Sequence, residues 1–265
     1  MMNEITAKDH GIHLPPKSIW PLILAGGIGF LTFGVIFFAS NSMIFAELSF
    51  IVGGSVTVVS LMGWAHSVVK EKAEPGEEAR AIQQKDLLMF LKYFLISEAA
   101  IFAALFVHYY NNRFGQEYWP PAGSPEIHTT LPAVATLILM FSSLTCEIGY
   151  LALKKGIRFR SKTFILVTAV LGLIFLGFQG YEWGLLINQY NFTADTNIYG
   201  TLFYMMTGFH GLHVSVGILF LILVYGRLEM GQMDEKRHFS MIAATWYWHF
   251  VDVIWILLFF SIYLI

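Results

Sequence analysis

Residues 240–265 read SMIAATWYWHFVDVIWILLFFSIYLI, an apolar run broken by one formal charge, Asp252, and one imidazole, His249. A helix needs about 20 predominantly apolar residues to cross the hydrocarbon core of a bilayer. This stretch meets that length, so it reads as a membrane span. The histidine and aspartate inside it then require an explanation: they either perform chemistry or hold helices together.

Six further stretches pass the same test, at 19–40, 43–69, 87–110, 130–153, 163–188 and 198–225. Together they predict an all-α integral membrane protein with seven transmembrane helices. The composition agrees. Hydrophobic residues make up 56% of the 265 positions and charged residues 13%, where soluble domains carry about 25% charged. The formal net charge of -2 gives no basic surface for nucleic acid, and no nucleic-acid partner is expected. The single cysteine, Cys146, excludes a disulfide framework or a cysteine metal cluster within the chain. MMNEITAKDHGIHLPPK (1–17) is polar and lacks a signal-peptide pattern, so no cleavage is expected. Neither a soluble domain nor an inverted repeat of the transporter kind is visible.

Loop charges set the expected orientation. With the N-terminus inside, the inner segments hold Lys8, Lys17, Lys70, Lys72, Arg80 and Lys85. They also hold Lys154, Lys155, Arg158, Arg160, Lys162, Arg227, Lys236 and Arg237. Only Lys92, within the third span, and Arg113, in an outer loop, fall elsewhere. The positive-inside rule then places the N-terminus in the cytoplasm and the C-terminus outside. AGGIGFLTFG in the first span and the glycine pair at 53–54 in the second suit close helix packing, with a lipid-lined cleft as the alternative.

The polar residues inside the spans are few. Glu98 lies in ISEAAIFAALF, Glu147 in LTCEIGY, Gln179 and Glu182 in FQGYEW, and His210 and His213 in GFHGLHVSVG; Glu47 and His66 belong to the second span. Each is costly against lipid unless it faces protein, water or a partner. Glu98, His210, His213, His249 and Asp252 all fall near mid-membrane, on the third, sixth and seventh spans. His210 and His213, like His249 and Asp252, are spaced i,i+3 and share a helix face. A buried network joining acids to histidines is the economical arrangement, with Glu98 either paired with a histidine or protonated. Metal or haem ligation would need three or four ligands or one axial histidine. A proton relay would need a series reaching a membrane surface, and Glu147 and Glu182 stand singly. Both alternatives rank below the structural network. Lys92 can snorkel to the inner interface. Trp64, His66, Lys70 and Arg227 form an inner rim that either binds anionic lipid headgroups or is an ordinary interfacial belt.

Several segments resemble subunit III of the haem-copper respiratory oxidases, the cytochrome c oxidase branch in particular. IYGTLFYMMTGFHGLHVSVG (198–217) and WYWHFVDVIWILLFFSIYLI (246–265) are similar to the family's sixth and seventh helices, and ISEAAIFAALFVH (96–108) to its third. YWPPAG (118–123) resembles the outer loop that follows, FQGYEW (178–183) the fifth helix, and IHLPPKSIWP (12–21) the tail of bacterial members. The resemblance implies two N-terminal helices splayed from a five-helix bundle, with phospholipid in the cleft. The chain would divide into a cytoplasmic tail (1–18), helices one and two (19–69), a polar cytoplasmic loop (70–86) and the bundle (87–265). It implies no redox centre or cofactor in this chain. Haems and copper would reside in partner subunits I and II, with direct packing on subunit I. The complex would reduce oxygen with electrons from cytochrome c in a bacterial plasma membrane; a quinol oxidase is the close alternative, and a proton-coupled transporter the remote one.

Carried over by position, Glu98 and Glu182 match the family's buried carboxylates, and His210, His213, His249 and Asp252 its positions on helices six and seven. Arg227 matches a lipid-facing arginine, and Trp64 matches at the end of helix two. Where relatives have small residues, this chain reads YYNN (109–112), so outer-loop contacts do not transfer.

Overall fold

The computed structural model describes residues 18–40, 42–70, 77–235 and 237–264. Among these lie seven helices long and apolar enough to cross a membrane. They are α1 (Trp20–Ala39), α2 (Met43–Lys70), α3 (Glu77–Phe114), α4 (Thr130–Lys154), α5 (Arg158–Tyr190), α6 (Ile198–Glu229) and α7 (Phe239–Phe259), which runs on as one wide π turn, Phe260–Leu264. Residues 1–17 and 71–76, and the side chain of His66, lie outside the described residues.

The observed helices overrun several of the expected apolar limits. α5 begins at Arg158 rather than 163, and α6 continues to Glu229 rather than 225. Hydropathy marks where a helix leaves hydrocarbon, whereas main-chain hydrogen bonding continues until a turn residue stops it. At the end of α5 that residue is Asn191, whose φ of 49 is left-handed and which donates its main-chain N–H to Leu186. The start of α3 shows the same effect: EEARAIQQKD (77–86) is polar but rich in helix formers, and it joins the helix.

The chain separates into two compact units, residues 1–76 and 77–265. In the first, α1 and α2 form a hairpin whose backbones approach closely. A Cβ at Gly27 would stand 2.7 Å from Thr57 Oγ1, and one at Gly53 2.7 Å from the main-chain N of Leu31. Only glycine permits that separation, and in lipid such backbone contact supplies association that no hydrophobic drive can. The glycines at 27 and 53 thus serve packing. Trp20 Nε1 also donates to Ser67 Oγ at 2.9 Å across the hairpin.

In the second unit, α7 packs against α3, α4 and α6, and α5 lies against α4 and α6. α7 is the most buried span: 56% of its most apolar 18-residue stretch is inside, against 11% for that of α3. Two of its three tryptophans explain much of this. Trp248 and Trp255 are fully buried, and Trp246 faces outward. Trp248 Nε1 donates to Ser142 Oγ at 3.0 Å, and Trp255 Nε1 donates to Thr136 Oγ1 at 2.8 Å, both on α4. A buried indole needs a partner for its N–H, and each of these finds a hydroxyl.

The last carbonyls of a helix have no intrahelical partner. Here the tyrosines of α3 and α6 supply donors. Tyr109 donates its O–H to the Ser261 carbonyl at 2.8 Å, Tyr199 donates to the Ile262 carbonyl at 3.3 Å, and Tyr110 bonds Ser261 Oγ at 2.8 Å. The bulky YYNN stretch therefore caps the end of α7.

Candidate functional site

The buried acids and imidazoles of the second unit fall into three separate groups, and His210 stands apart from all of them. On α3 and α6, Glu98 Oε2 lies 3.1 Å from His213 Nε2. The other ring nitrogen, Nδ1, is 2.8 Å from the Phe209 carbonyl, to which it donates. That bond orients the ring and leaves Nε2 for the carboxyl. Whichever group holds it, one proton lies between Glu98 and His213. The rings of Phe102 and Phe209 pack edge-on against the imidazole, with centroids at 5.0 and 4.6 Å.

The second group joins α7 to α4. His249 Nδ1 is 2.7 Å from Ser143 Oγ and 3.8 Å from Asp252 Oδ2, while Nε2 is 3.4 Å from Glu147 Oε2. The structure thus brings His249 and Asp252 to α4, rather than to Glu98 and His213 on α3 and α6. Asp252 is buried, whereas the side chains of His249 and Glu147 are 37% and 42% exposed. Hydroxyl, imidazole and carboxylate in line resemble a hydrolytic triad. The resemblance ends at the backbone: Ser143 sits within α4, where main-chain N–H groups are consumed by helical bonds. None is free to stabilise an oxyanion.

The third group lies on α5 and the π turn after α7. Glu182 Oε2 accepts from Tyr263 O–H at 2.8 Å and from Gln179 Nε2 at 3.0 Å. His210 is 1% exposed, and neither ring nitrogen has a hydrogen-bond partner among the described residues. Its ring sits between Phe175 and Trp255, with centroids at 5.8 and 5.0 Å. The i,i+3 spacing puts His210 and His213 close in azimuth, yet they meet different neighbours because α6 is surrounded by protein. Glu147, Ser143 and Tyr263 are the members that the sequence reading left singly or did not name. Ser143 and Glu147 are i,i+4 on one helix face, a signal that could have linked them. Among the described residues, no group of three or more His, Cys, Asp or Glu is placed to hold a metal ion.

The residues expected at a lipid rim are divided between the two units. Trp64 is half-exposed on α2, in the first unit, and Lys92 is exposed on α3. Arg227 lines a cavity. A groove of about 440 Å³ between α6 and α7 is walled by Phe220, Leu223, Phe239 and Ala243, with Arg227 and Ser240 as its polar members. Arg227 Nη1 donates to Ser240 Oγ. An apolar trough with one cation suits an acyl chain and an anionic headgroup.

The sequence profile of the family described as Cytochrome c oxidase subunit III matches residues 10–265. The chain belongs to the cytochrome c oxidase subunit III family. It is 34% identical over 271 residues to the cytochrome c oxidase subunit 3 of Triticum aestivum, and 34% identical over 266 residues to that of Mus musculus. Each alignment covers 98% of both chains. The protein of the same name from Synechocystis sp. is 39% identical over 193 residues, 72% of this chain and 81% of the relative. As a subunit III family member with seven apolar helices, the chain is a multi-pass membrane protein. The helical segments that carried the resemblance fall on α3, α5, α6 and α7, which bear every member of the three polar groups except Ser143 and Glu147 on α4.

Proposed function

We propose that the chain is the accessory subunit III of a proton-pumping terminal oxidase, a cytochrome c oxidase that reduces oxygen to water in aerobic respiration. It carries no redox centre of its own. The haems and copper reside in subunits I and II, the chain packs on subunit I, and electrons arrive from cytochrome c through the complex. The chain binds phospholipid. The chain sustains proton uptake and enzyme stability rather than performing the chemistry. It sits in a bacterial plasma membrane with its N-terminus in the cytoplasm.

One observation carries this reading: the family match runs through residues 10–265 and includes all seven helices. The site geometry supports it. Glu98, Glu182, His213 and His249 are engaged with other side chains on neighbouring helices or turns, as a structural network requires, whereas buried Asp252 stands 3.8 Å from His249 on its own helix. The Arg227 groove supports lipid binding. The distribution of lysine and arginine supports the orientation.

The test is purification of the tagged chain from its native membrane in mild detergent. The expected result is co-purification with haem-bearing subunits and oxygen consumption driven by reduced cytochrome c. After separation from those subunits, the chain should show no Soret absorption. A haem band or stoichiometric metal that stays with the isolated chain would overturn the accessory role. Activity with quinol and none with cytochrome c would overturn the assigned electron donor.

A further inference from the structure

The turn between α4 and α5 reads KKGIRFRSK (154–162), five cations in nine residues. Three of them meet other groups of the protein. Lys162 Nζ lies 2.6 Å from Glu229 Oε1 on α6, and Lys154 sits over the ring of Tyr150 on its own helix, 5.5 Å from the centroid. Arg158 lines a cavity together with Asp234 and Glu235 of the turn after α6. Lys155 and Arg160 remain. Both are exposed, and neither forms an ion pair among the described residues. Arg160 lies over the Phe164 ring at 5.6 Å, a contact that holds the side chain but leaves its charge unneutralised.

These two cations share a cavity of about 160 Å³ with Ile148, Leu151, Ala152 and Ile157. It has no residue in common with the Arg227 groove, which lies between α6 and α7. Pockets that enclose a whole small molecule measure about 300–1,000 Å³, so this one suits only part of a ligand. The remainder has a place to lie. On α4, Leu144 stands seven residues before Leu151; on α5, Val167 stands seven residues after Arg160. Both are exposed, and a seven-residue step returns to the same helix face. Apolar surface therefore continues from the cavity toward mid-membrane for about 10 Å along each helix.

We infer that Lys155 and Arg160 bind the phosphate of an anionic phospholipid whose acyl chain lies along α4 and α5 past Leu144 and Val167. This site is a second one, distinct from the Arg227 groove, and it rests on the phospholipid binding proposed above. Charge complementarity selects the occupant. A guanidinium pairs with two phosphate oxygens at once, and an ammonium beside it adds a second charge. A wholly apolar partner would leave both cations without a counter-charge, and a free phosphate would leave the apolar walls uncovered. The carboxyl-terminal end of a helix repels anions. Here the turn offsets that effect, because the Leu151, Ala152 and Leu153 carbonyls accept the main-chain N–H groups of Lys155, Ile157 and Gly156 at 3.2, 2.9 and 2.9 Å.

The cations are open to exchange, so the lipid is scored in a bilayer rather than after extraction. The tagged chain, with the subunits that accompany it, is placed in nanodiscs of phosphatidylglycerol with phosphatidylcholine in excess. A benzophenone side chain replaces Leu144 in one variant and Val167 in another, outside the cavity itself. After irradiation, mass spectrometry of the peptides reads the headgroup of each lipid adduct. Phosphatidylglycerol should exceed its share of the bilayer by about fivefold, the effect of one cation near an anionic lipid. Lys155→Gln with Arg160→Gln should return the adducts to the bilayer ratio, and Lys154→Gln should not. Adducts at the bilayer ratio from the chain with both cations present, adducts with protein in place of lipid, or enrichment that survives the double substitution would each overturn the proposal. The two crosslinker positions are independent, and circular dichroism confirms the helix content of every variant. Phospholipid carried by the purified wild-type protein is counted separately. Its absence would overturn phospholipid binding as a whole; its presence with unenriched adducts would overturn this site alone.

Discussion

Gly172→Ala is the smallest substitution that tests how the bundle is locked. The indole of Trp248 is wholly buried on α7 and meets three other helices. Its Nε1 donates to Ser142 on α4 at 3.0 Å, and its six-membered ring lies against the backbones of α5 at Gly172 and α6 at Gly217. A Cβ at Gly172 would stand 2.6 Å from Cη2 and 3.1 Å from Cζ2 of that ring, and 3.1 Å from Ile218 Cγ1. Carbon atoms settle at about 3.5 Å or more, so the ring must retreat by roughly 0.9 Å. Its retreat is obstructed, because the edge carrying Cε3 and Cζ3 already abuts Gly217, where a Cβ would stand 2.9 Å away. Overpacking of this kind costs about 1–3 kcal/mol. Helix propensity opposes it, since alanine is favoured over glycine by up to about 1 kcal/mol. The clash should win, leaving a net loss of about 1–2 kcal/mol.

Trp248→Phe alone should also destabilise, through the lost Ser142 bond and the void it leaves. Combined with Gly172→Ala, however, it removes the atoms that clash. The double variant should therefore be more stable than the sum of the two losses by about 1 kcal/mol. The assay is equilibrium unfolding of the purified chain in mixed micelles, titrating denaturing detergent and following helix content by circular dichroism. Strictly additive losses, or a Gly172→Ala protein more stable than the wild type, would refute the packing argument.

Glu98→Gln should leave electron transfer through the oxidase nearly intact. A double-mutant cycle with His213→Ala should show coupling of about 0.6–1.7 kcal/mol in unfolding, and complete loss of activity with assembly unchanged would contradict it. Tyr263→Phe removes the 2.8 Å donor to buried Glu182 and should lower stability by about 1–3 kcal/mol; Glu182→Gln in the same chain should recover part of it, as measured by the same unfolding titration. Arg227→Ala should reduce the anionic phospholipid that co-purifies with the chain by about threefold or more, as counted by mass spectrometry of extracted lipid, without altering helix content.

The spans were readable from the sequence because most of the charge in this chain is concentrated at helix ends and in loops, with few charged residues inside each span. The helix ends were less so, since α3 and α5 extend through charged turns that hydropathy does not score. The site was legible in depth but not in azimuth. Counting residues along a helix gives height along its axis, and Glu98 stands beside His213 in the structure. It could not say which neighbour each group faces. In a soluble protein the apolar stripe of a helix supplies that information. In a membrane the lipid-facing and protein-facing sides are both apolar, so α6 and α7 carry no such stripe. His249 was therefore grouped with the third and sixth helices on height alone, when its partners Ser143 and Glu147 stand on the fourth. Tyr109 and Tyr110 were set aside as a departure from relatives, yet they cap Ser261 from a distance in sequence that no local pattern reveals.

The two units solve one problem, the lack of hydrophobic drive between helices in lipid, by different chemistry. The α1–α2 hairpin relies on backbone approach at Gly27 and Gly53, which gains dispersion but few hydrogen bonds between side chains. The bundle instead inserts large rings from α7 and ties each buried indole to a hydroxyl of α4. Dispersion tolerates sliding of one helix along another, whereas an indole bonded at 3.0 Å to one serine defines a single register. The polar pairs extend that logic to the other helices: Glu98–His213 sets α3 against α6, and Glu182–Tyr263 sets α5 against the end of α7. A rigid bundle of this kind holds the outward pair, Glu147 and His249, at a fixed height and direction.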